Sequence, residues 1–258
     1  MMDDLELLRS MADEVEAAVG DLSLKERSEE AGIGADGLPA HRIDRVAEQA
    51  VFDVLEGSPA ELNVCSEEHG VEEVGAPRTL IVDPVDGTRN ARRGIPFYCV
   101  SLAITSGGLD RVEAALVRNI PANQDYVAVR GEGAYCDGEP ISVSAFDPEE
   151  AIRSPILVSP VGTVAAGPLE QAPNVRGLGA AALEMCLVAQ GSMDAFLHLT
   201  EGLRIVDVAA GLLIVEEAGG NVVAPDGSRP ELPVDPSART SLVAVGDETV
   251  LSDPEVAA

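Results

Sequence analysis

Apolar residues first recur at helical spacing, as Leu5, Leu8, Met11, Val15 and Val19, which predicts an amphipathic helix over 3–19 ending near Gly20. The next stretch, GIGADGLPAHR at 32–42, carries three glycines and a proline, too many turn-formers for a regular element. Ile43, Val46, Ala47, Ala50, Val51, Val54 and Leu55 mark a second helix, with Asp44 in its first turn and Glu48 one turn on. Short strands are expected at 61–65 and 78–83. From Phe97 to Val143 the period becomes that of strands: FYCVSLAIT, RVEAALVRN and DYVAVR, with a Gly-Glu-Gly turn at 131–133, predict an antiparallel meander. The polar stretch 145–153, containing Pro148, is the candidate boundary between an N-terminal half, 1–148, and a C-terminal half, 149–258. Beyond it come a strand at 155–159, a loop rich in Gly and Pro, a helix at 179–190, a strand at 193–199, a helix at 208–218, and short strands near 221 and 241. Helices and strands alternate in this second half, and no internal repeat is visible.

The pattern is broken where acids end apolar runs. Leu80, Ile81 and Val82 lead directly into Asp83, at the carboxyl edge of a strand, where ligand sites in α/β sheets commonly open. Pro84 fixes the backbone and Gly87 permits a tight turn, so Asp83 and Asp86 can converge while the Val85 carbonyl faces the same point. Two carboxylates that close repel unless one is protonated or a cation lies between them, and oxygen-only ligands suit Mg²⁺ or Mn²⁺. Asp, Pro and Gly are also ordinary turn residues, so IVDPVDGTRN alone reads equally as a turn. Two other places shift the balance. Cys65-Ser66-Glu67-Glu68-His69-Gly70 ends another apolar strand with paired acids. LRIVDVAAGLLIVEEAGG, 203–220, opens a nearly all-apolar helix with Asp207 at its N-cap position, where an acid also serves as an ordinary cap, and closes at Gly219-Gly220.

Composition narrows what such sites can serve. The 258 residues suffice for one large domain or two closely packed ones. With 45 acidic against 17 basic residues the net charge is -28, and Lys25 is the only lysine. Such a surface repels nucleic acid and anionic lipid, so no nucleic-acid or membrane partner is expected. The acids are scattered, as on a solvated surface suited to high salt, and the lack of lysine resembles proteins of extreme halophiles. Four separated cysteines with no C-x-x-C pattern and no matching histidines exclude a zinc site and read as core thiols in a reducing compartment. His41, His69 and His198 are scattered and read as exposed or structurally bonded. The N-terminus lacks an export signal and no apolar run reaches spanning length; a cytoplasmic location is expected.

Taken in order, SEE (66–68), DPVDGT (83–88) and VDVAAGLLIVEEAGG (206–220) resemble the inositol monophosphatase family of magnesium-dependent, lithium-sensitive phosphatases. The resemblance runs over nearly the whole chain. GADGLPAHRIDRVAEQ, 34–49, is similar to the segment of archaeal members that act on both inositol monophosphate and fructose 1,6-bisphosphate, and GLGAAALEMCLVAQGSMDAF, 177–196, resembles the family's substrate-side helix and strand. The fold this implies is α/β, a layered αβαβα sandwich of the sugar-phosphatase type, and the implied assembly is a homodimer. The implied cofactor is Mg²⁺, two or three ions, with Mn²⁺ as substitute and Li⁺ as inhibitor. Glu67, Asp83 and the Val85 carbonyl would hold one ion and Asp83, Asp86 and Asp207 a second, while Glu67 would also help hold a third. Thr88 with Asp44 would orient and deprotonate the attacking water, and Asp36 would approach the third ion from the Gly-rich loop. Glu184 and Glu201 occupy positions resembling specificity residues that face the substrate's hydroxyls; a solvated helix face or loop is the alternative.

The chemistry asks for these residue types. A phosphate monoester is anionic, so water must be activated and charge neutralised, which two metals about 3.5–4 Å apart accomplish. Backbone N–H groups of Gly87 and Thr88, at a turn entering a helix, suit phosphate oxygens. Direct transfer to water needs no protein nucleophile, and no cysteine or histidine serves one in these motifs.

The chain departs from the family in places. Val206 stands where Trp is common, Ser66 where Gly is usual, and the region 160–178 is short. Arg89, Arg92 and Arg93 replace largely neutral residues beside the phosphate seat; they suit a second phosphate, and suit equally well pairing with nearby acids. Three alternatives stand beside a sugar or polyol phosphatase. One is a 3′-phosphoadenosine 5′-phosphate phosphatase of the same family. A second is a haloacid dehalogenase-like enzyme using Asp83 as nucleophile, whose aspartates would lie two apart rather than three and which needs a downstream lysine this chain lacks. The third is a non-catalytic metal-binding homologue, which would have no use for Thr88 and Asp44.

Overall fold

The computed structural model describes residues 3–35, 37, 39–144, 156–158 and 175–246. Asp36, the boundary stretch 145–153 and residues 160–174 lie outside them.

The first helix, α1 (Asp4–Gly20), opens on a capping box in which Asp3 and Glu6 satisfy each other's backbone N–H. A short α2 (Leu24–Arg27) follows, then β1 (Glu30–Ile33) and β2 (Pro39–His41), which pair as an antiparallel hairpin. This corrects the expectation of an irregular 32–42: Gly34 and Gly37 lie in the hairpin tip, while Gly32 and Pro39 fall within the paired strands, whose register is irregular between Glu30 and Ile33. The chain continues through α3 (Arg42–Gly57), β3 (Asn63–Ser66), β4 (Gly70–Glu72), β5 (Thr79–Asp86), α4 (Thr88–Arg93) and β6 (Cys99–Thr105). The meander completes with β7 (Val112–Asn119), β8 (Gln124–Val129), β9 (Gly133–Cys136) and β10 (Glu139–Pro140). The last part holds β11 (Ile156–Val158), β12 (Val175–Arg176), α5 (Ala181–Ala189), β13 (Ala195–Leu203), α6 (Ile205–Glu217), β14 (Asn221–Val223) and β15 (Thr240–Val245).

The large sheet runs β10-β9-β8-β7-β6-β5-β3-β4 and the smaller one β12-β11-β13-β15-β14. Period-2 alternation assigns the two faces of the large sheet. Leu80, Val82, Leu102 and Leu116 pack with Leu8, Met11, Ile43 and Val51 of α1 and α3. Ile81, Ala103 and Ala115 face the other way, into a core shared with α5, α6 and the smaller sheet through Met185, Leu213, Phe196 and Leu242. The result is a mixed α/β stack of α1 and α3, large sheet, α5 and α6, small sheet; no outermost helical layer is formed by the described residues.

Two features of this stack place the site. Within the large sheet β3 and β5 run parallel, with Ser66 opposite Val82, so Glu67 and Asp83 leave the same edge. Asp83 also follows the parity of Ile81, and so points toward α6.

All four cysteines are free thiols, three of them buried. No helix among the described residues is long and apolar enough to cross a membrane.

Candidate active site

Two helices deliver an aspartate to the sheet edge by the same local device. Asp44 is the third residue of α3 and accepts a hydrogen bond from the His41 N–H at 3.0 Å. Asp207 is the third residue of α6 and accepts from the Arg204 N–H at 2.6 Å. Asp207 is therefore not the N-cap: α6 starts at Ile205, because the apolar run extends the helix N-terminally and Arg204 takes the cap position. Both aspartates satisfy a backbone donor that a helix start leaves unpaired, and both stay buried, at 5% and 7% exposure.

Between them β5 carries the other acids. Asp83 is 1% exposed, and its Oδ1 accepts from the Val85 N–H at 3.1 Å. The ladder to β6 is irregular between Asp83 and Asp86, which lets residues three apart turn toward one region. Asp86 Oδ2 accepts from the Ala182 N–H of α5 at 2.7 Å. Gly87 then adopts φ 88°, and a Cβ there would lie 3.1 Å from Ala180, the Phe97 carbonyl oxygen and Tyr98 at once, so the turn requires glycine for conformation and for space. Thr88 begins α4, with its Oγ1 2.9 Å from Asp44 Oδ1 and 2.8 Å from the Val85 carbonyl oxygen.

Electrostatics binds these residues into one unit. Burial raises the Asp83 carboxyl well above its usual value, and the charges of Glu67, Asp86 and Asp207 raise it further, against Arg204. Burial and then Asp207 bring Asp86 to about 7, opposed by the Ala182 N–H. Asp44 is raised by burial to about 6, with the Thr88 and His41 hydrogen bonds opposing. Burial, followed by Asp44 and Glu67, brings Glu68 to about 8.

Arg204 is the cation closest to this cluster. Its Nη1 meets Glu67 Oε1, while Nη2 donates to Asp207 Oδ1 at 2.7 Å. As the side chains stand, no three acids among the described residues close on one metal point, since the guanidinium lies between Glu67 and Asp207. The donor set nevertheless fits a hard divalent cation: it is all oxygen and buried or half-buried, and at Asp83 the charges of Glu67, Asp86 and Asp207 add to burial in raising the carboxyl, a repulsion that a cation relieves. Glu67, Asp83, the Val85 carbonyl, Asp86 and Asp207 are the residues that could hold such ions.

The substrate-side expectations fare differently. Arg89 and Arg93 are exposed on α4, and Arg92 is half-buried with its Nη1 on His41 Nε2; none of the three is ion-paired with an acid among the described residues. Glu184 is 0% exposed and so does not lie on a solvated face: its Oε1 accepts from the Leu178 N–H at 2.5 Å and the Gly179 N–H at 3.1 Å, holding the turn before α5, and its charge acts on Asp86. Glu201 is exposed on the irregular end of β13. Sequence reasoning missed Arg204, three residues before Asp207, and gave no role to Glu48 or Glu68, which it placed one turn beyond Asp44 and in the acid pair but which the structure buries.

A model of the inositol monophosphatase family matches residues 4–252. A fructose-1,6-bisphosphatase/inositol-1-monophosphatase of Archaeoglobus fulgidus is 40% identical, with 87% of this chain and 86% of that protein covered. A bifunctional NADP phosphatase/NAD kinase of Methanococcus maripaludis is 33% identical over 94% of this chain, which spans 47% of that longer protein. The crystal structure of an inositol monophosphatase-fructose 1,6 bisphosphatase superposes with TM-score 0.88 at 26% identity, covering 97% of this chain and 98% of the other.

Proposed function

The chain belongs to the inositol monophosphatase family of phosphatases, and from that premise we propose that it hydrolyses fructose 1,6-bisphosphate and inositol monophosphate with Mg²⁺, by direct attack of water. The observation that carries this reading is a surplus of buried acids around Asp83 adjoining a Thr88–Asp44 pair. Glu67, Asp83 and the Val85 carbonyl are assigned to one ion and Asp83, Asp86 and Asp207 to a second, with Glu67 also serving a third. When bound, Mg²⁺ would neutralise phosphate charge and acidify the attacking water; Mn²⁺ is expected to substitute and Li⁺ to inhibit.

The chain's own groups do the rest. Asp44, with its carboxyl at about 6, is ionised at neutral pH and can take a proton through the Thr88 hydroxyl, which bridges it to the site. The backbone turn at Gly87 and Thr88 seats the phosphate being cleaved. Arg89 and Arg93, exposed on α4, are assigned to a second phosphate, which favours a bisphosphate sugar over a monophosphate, while Arg92 stays on His41 and acts on Asp44.

A phosphate-release panel over fructose 1,6-bisphosphate, inositol 1-phosphate, 3′-phosphoadenosine 5′-phosphate and NADP, in Mg²⁺ with high KCl and again in EDTA, tests the reading. Release from the first two, lost in EDTA, is expected. Release confined to the nucleotides would replace the sugar reading, and a phosphorylated Asp83 trapped after quenching would overturn attack by water.

A further inference from the structure

We propose that Glu48 is a positioning residue for this site: it grips both ends of the turn that carries Glu67 and ties that turn to the helix that carries Asp44. The inference rests on the phosphatase reading above and concerns residues outside its ligand set.

Glu48 lies four residues after Asp44 on α3, on the same face, and is 4% exposed. Its Oε1 accepts from the Ser66 hydroxyl and from the His69 N–H at 2.9 Å. Ser66 is the last residue of β3 and His69 follows the two glutamates, so one carboxylate oxygen spans Ser66-Glu67-Glu68-His69. Arg45, the helix residue between Asp44 and Glu48, closes the same contact: its Nη1 lies 3.6 Å from Glu48 Oε2 and donates to the Glu68 carbonyl oxygen at 3.2 Å. Its Nη2 donates to the Ile33 carbonyl oxygen at 2.8 Å, and the Ala35 N–H reaches the Glu68 carbonyl at 3.1 Å, which docks the β1–β2 hairpin on the same turn.

The backbone of the turn is thus held from α3, while the Glu67 side chain projects the other way, toward Arg204 and Asp83. Four residues of helix, about 6 Å of rise, then set the distance between the group that receives the water's proton and the turn that presents Glu67. Packing alone does not call for a carboxylate here, since burying one costs free energy that an apolar side chain of similar size avoids. What an apolar side chain cannot do is accept the hydrogen bonds of the Ser66 hydroxyl and the His69 N–H.

The test compares Glu48→Leu, Glu48→Gln and Ser66→Ala in the full chain. Mn²⁺ binding is read by electron paramagnetic resonance or calorimetry without substrate, and kcat and KM are read separately with saturating Mg²⁺. Glu48→Leu is expected to weaken Mn²⁺ roughly 10–100-fold, the range for groups that orient metal ligands, and to lower kcat while leaving KM within about twofold. Glu48→Gln keeps the accepting oxygen and should restore both to within about threefold of wild type. Ser66→Ala removes one of the two tethers and should fall between, so the proposal stays testable if Glu48→Leu does not fold. Wild-type Mn²⁺ affinity and kcat in Glu48→Leu, or in Ser66→Ala where that is the variant that folds, overturn the proposal, as does Glu48→Gln as impaired as Glu48→Leu. A wild-type protein that binds no Mn²⁺ and releases no phosphate sinks the phosphatase reading instead, and this inference with it.

Discussion

Arg118 and Asp83 are both buried charges on the large sheet, and they differ in how they are answered. Arg118 of β7 is 5% exposed, with Asp125 of β8 on two of its nitrogens at 2.5 and 2.9 Å and Asp13 of α1 on the third at 2.5 Å. Burial works against that cation, and the hydrogen bonds to Asp125 and Asp13 outweigh it, so its pKa rises. Around Asp83 the balance is reversed. Acids gather from β5, α6 and the turn after β3: burial raises Asp83 and Asp86, and the charges of Glu67, Asp86 and Asp207 raise Asp83 further, against Arg204. The first cluster joins strand to helix and asks for nothing more. The second is left in a state that an added cation improves, which is the physical mark of a binding site rather than a brace.

The sharpest way to break this contrast is to neutralise each cluster in turn. Asp83→Asn should abolish turnover, yet in EDTA it should melt higher than wild type, because one of several repelling charges is gone. Arg118→Met should do the opposite, losing on the order of 3 kcal/mol of stability by stranding Asp125, with the kcat of the folded fraction unchanged. Paired melting curves and kcat values decide; an Asp83→Asn variant that melts lower in EDTA would place Asp83 among the braces.

Next in size are the proton-handling residues. Thr88→Ala or Asp44→Asn should cut kcat by about 10²–10⁴-fold, the contribution of a positioned base, while Mn²⁺ still binds. Calorimetry alongside kinetics checks both halves of that statement.

Titration offers a smaller effect with a definite sign. Asp44, Asp86 and Glu68 have folded values of about 6, 7 and 8, above the ordinary 3.8, 3.8 and 4.5 of these side chains. Groups raised on folding hold more protons in the native state, so without metal their contribution to stability is greatest below about pH 4 and is lost progressively up to about pH 8. The melting temperature in EDTA should therefore fall across that window, and saturating Mg²⁺ should flatten the fall. A rise in EDTA would mean that these acids are paired as Arg118's are.

The smallest expected change concerns substrate choice. Arg89→Ala with Arg93→Ala should raise KM for fructose 1,6-bisphosphate roughly tenfold, as loss of a charged hydrogen bond does, and leave KM for inositol 1-phosphate near wild type. Equal KM values for both variants and both substrates would assign these arginines to the surface.

How much of this could be read in advance follows from how local each signal is. Asp83, Asp86, Gly87 and Thr88 share one turn, and the apolar run before them announces the strand end, so their convergence was legible. Parallel pairing of β3 with β5 is a long-range fact, yet the acid pair after Cys65 marked the same kind of edge. Asp207 was found but misplaced by three residues, because an almost uniformly apolar helix carries no periodicity to fix its start. The burial of Glu184 was not legible, because a glutamate near a helix N-terminus looks solvated until its partners, the Leu178 and Gly179 N–H groups, are located behind it. The Arg118 cluster joins residues about a hundred positions apart, and no pattern along the chain announces it.

Helix α2 lies against α4, where the Ser28 hydroxyl reaches the Arg92 carbonyl oxygen, and it holds exposed Lys25, the only lysine in the sequence. Amine-selective reagents therefore have a single side chain to modify, beside the arginine helix that flanks the proposed phosphate seat. A fluorophore can be installed there without a single engineered mutation.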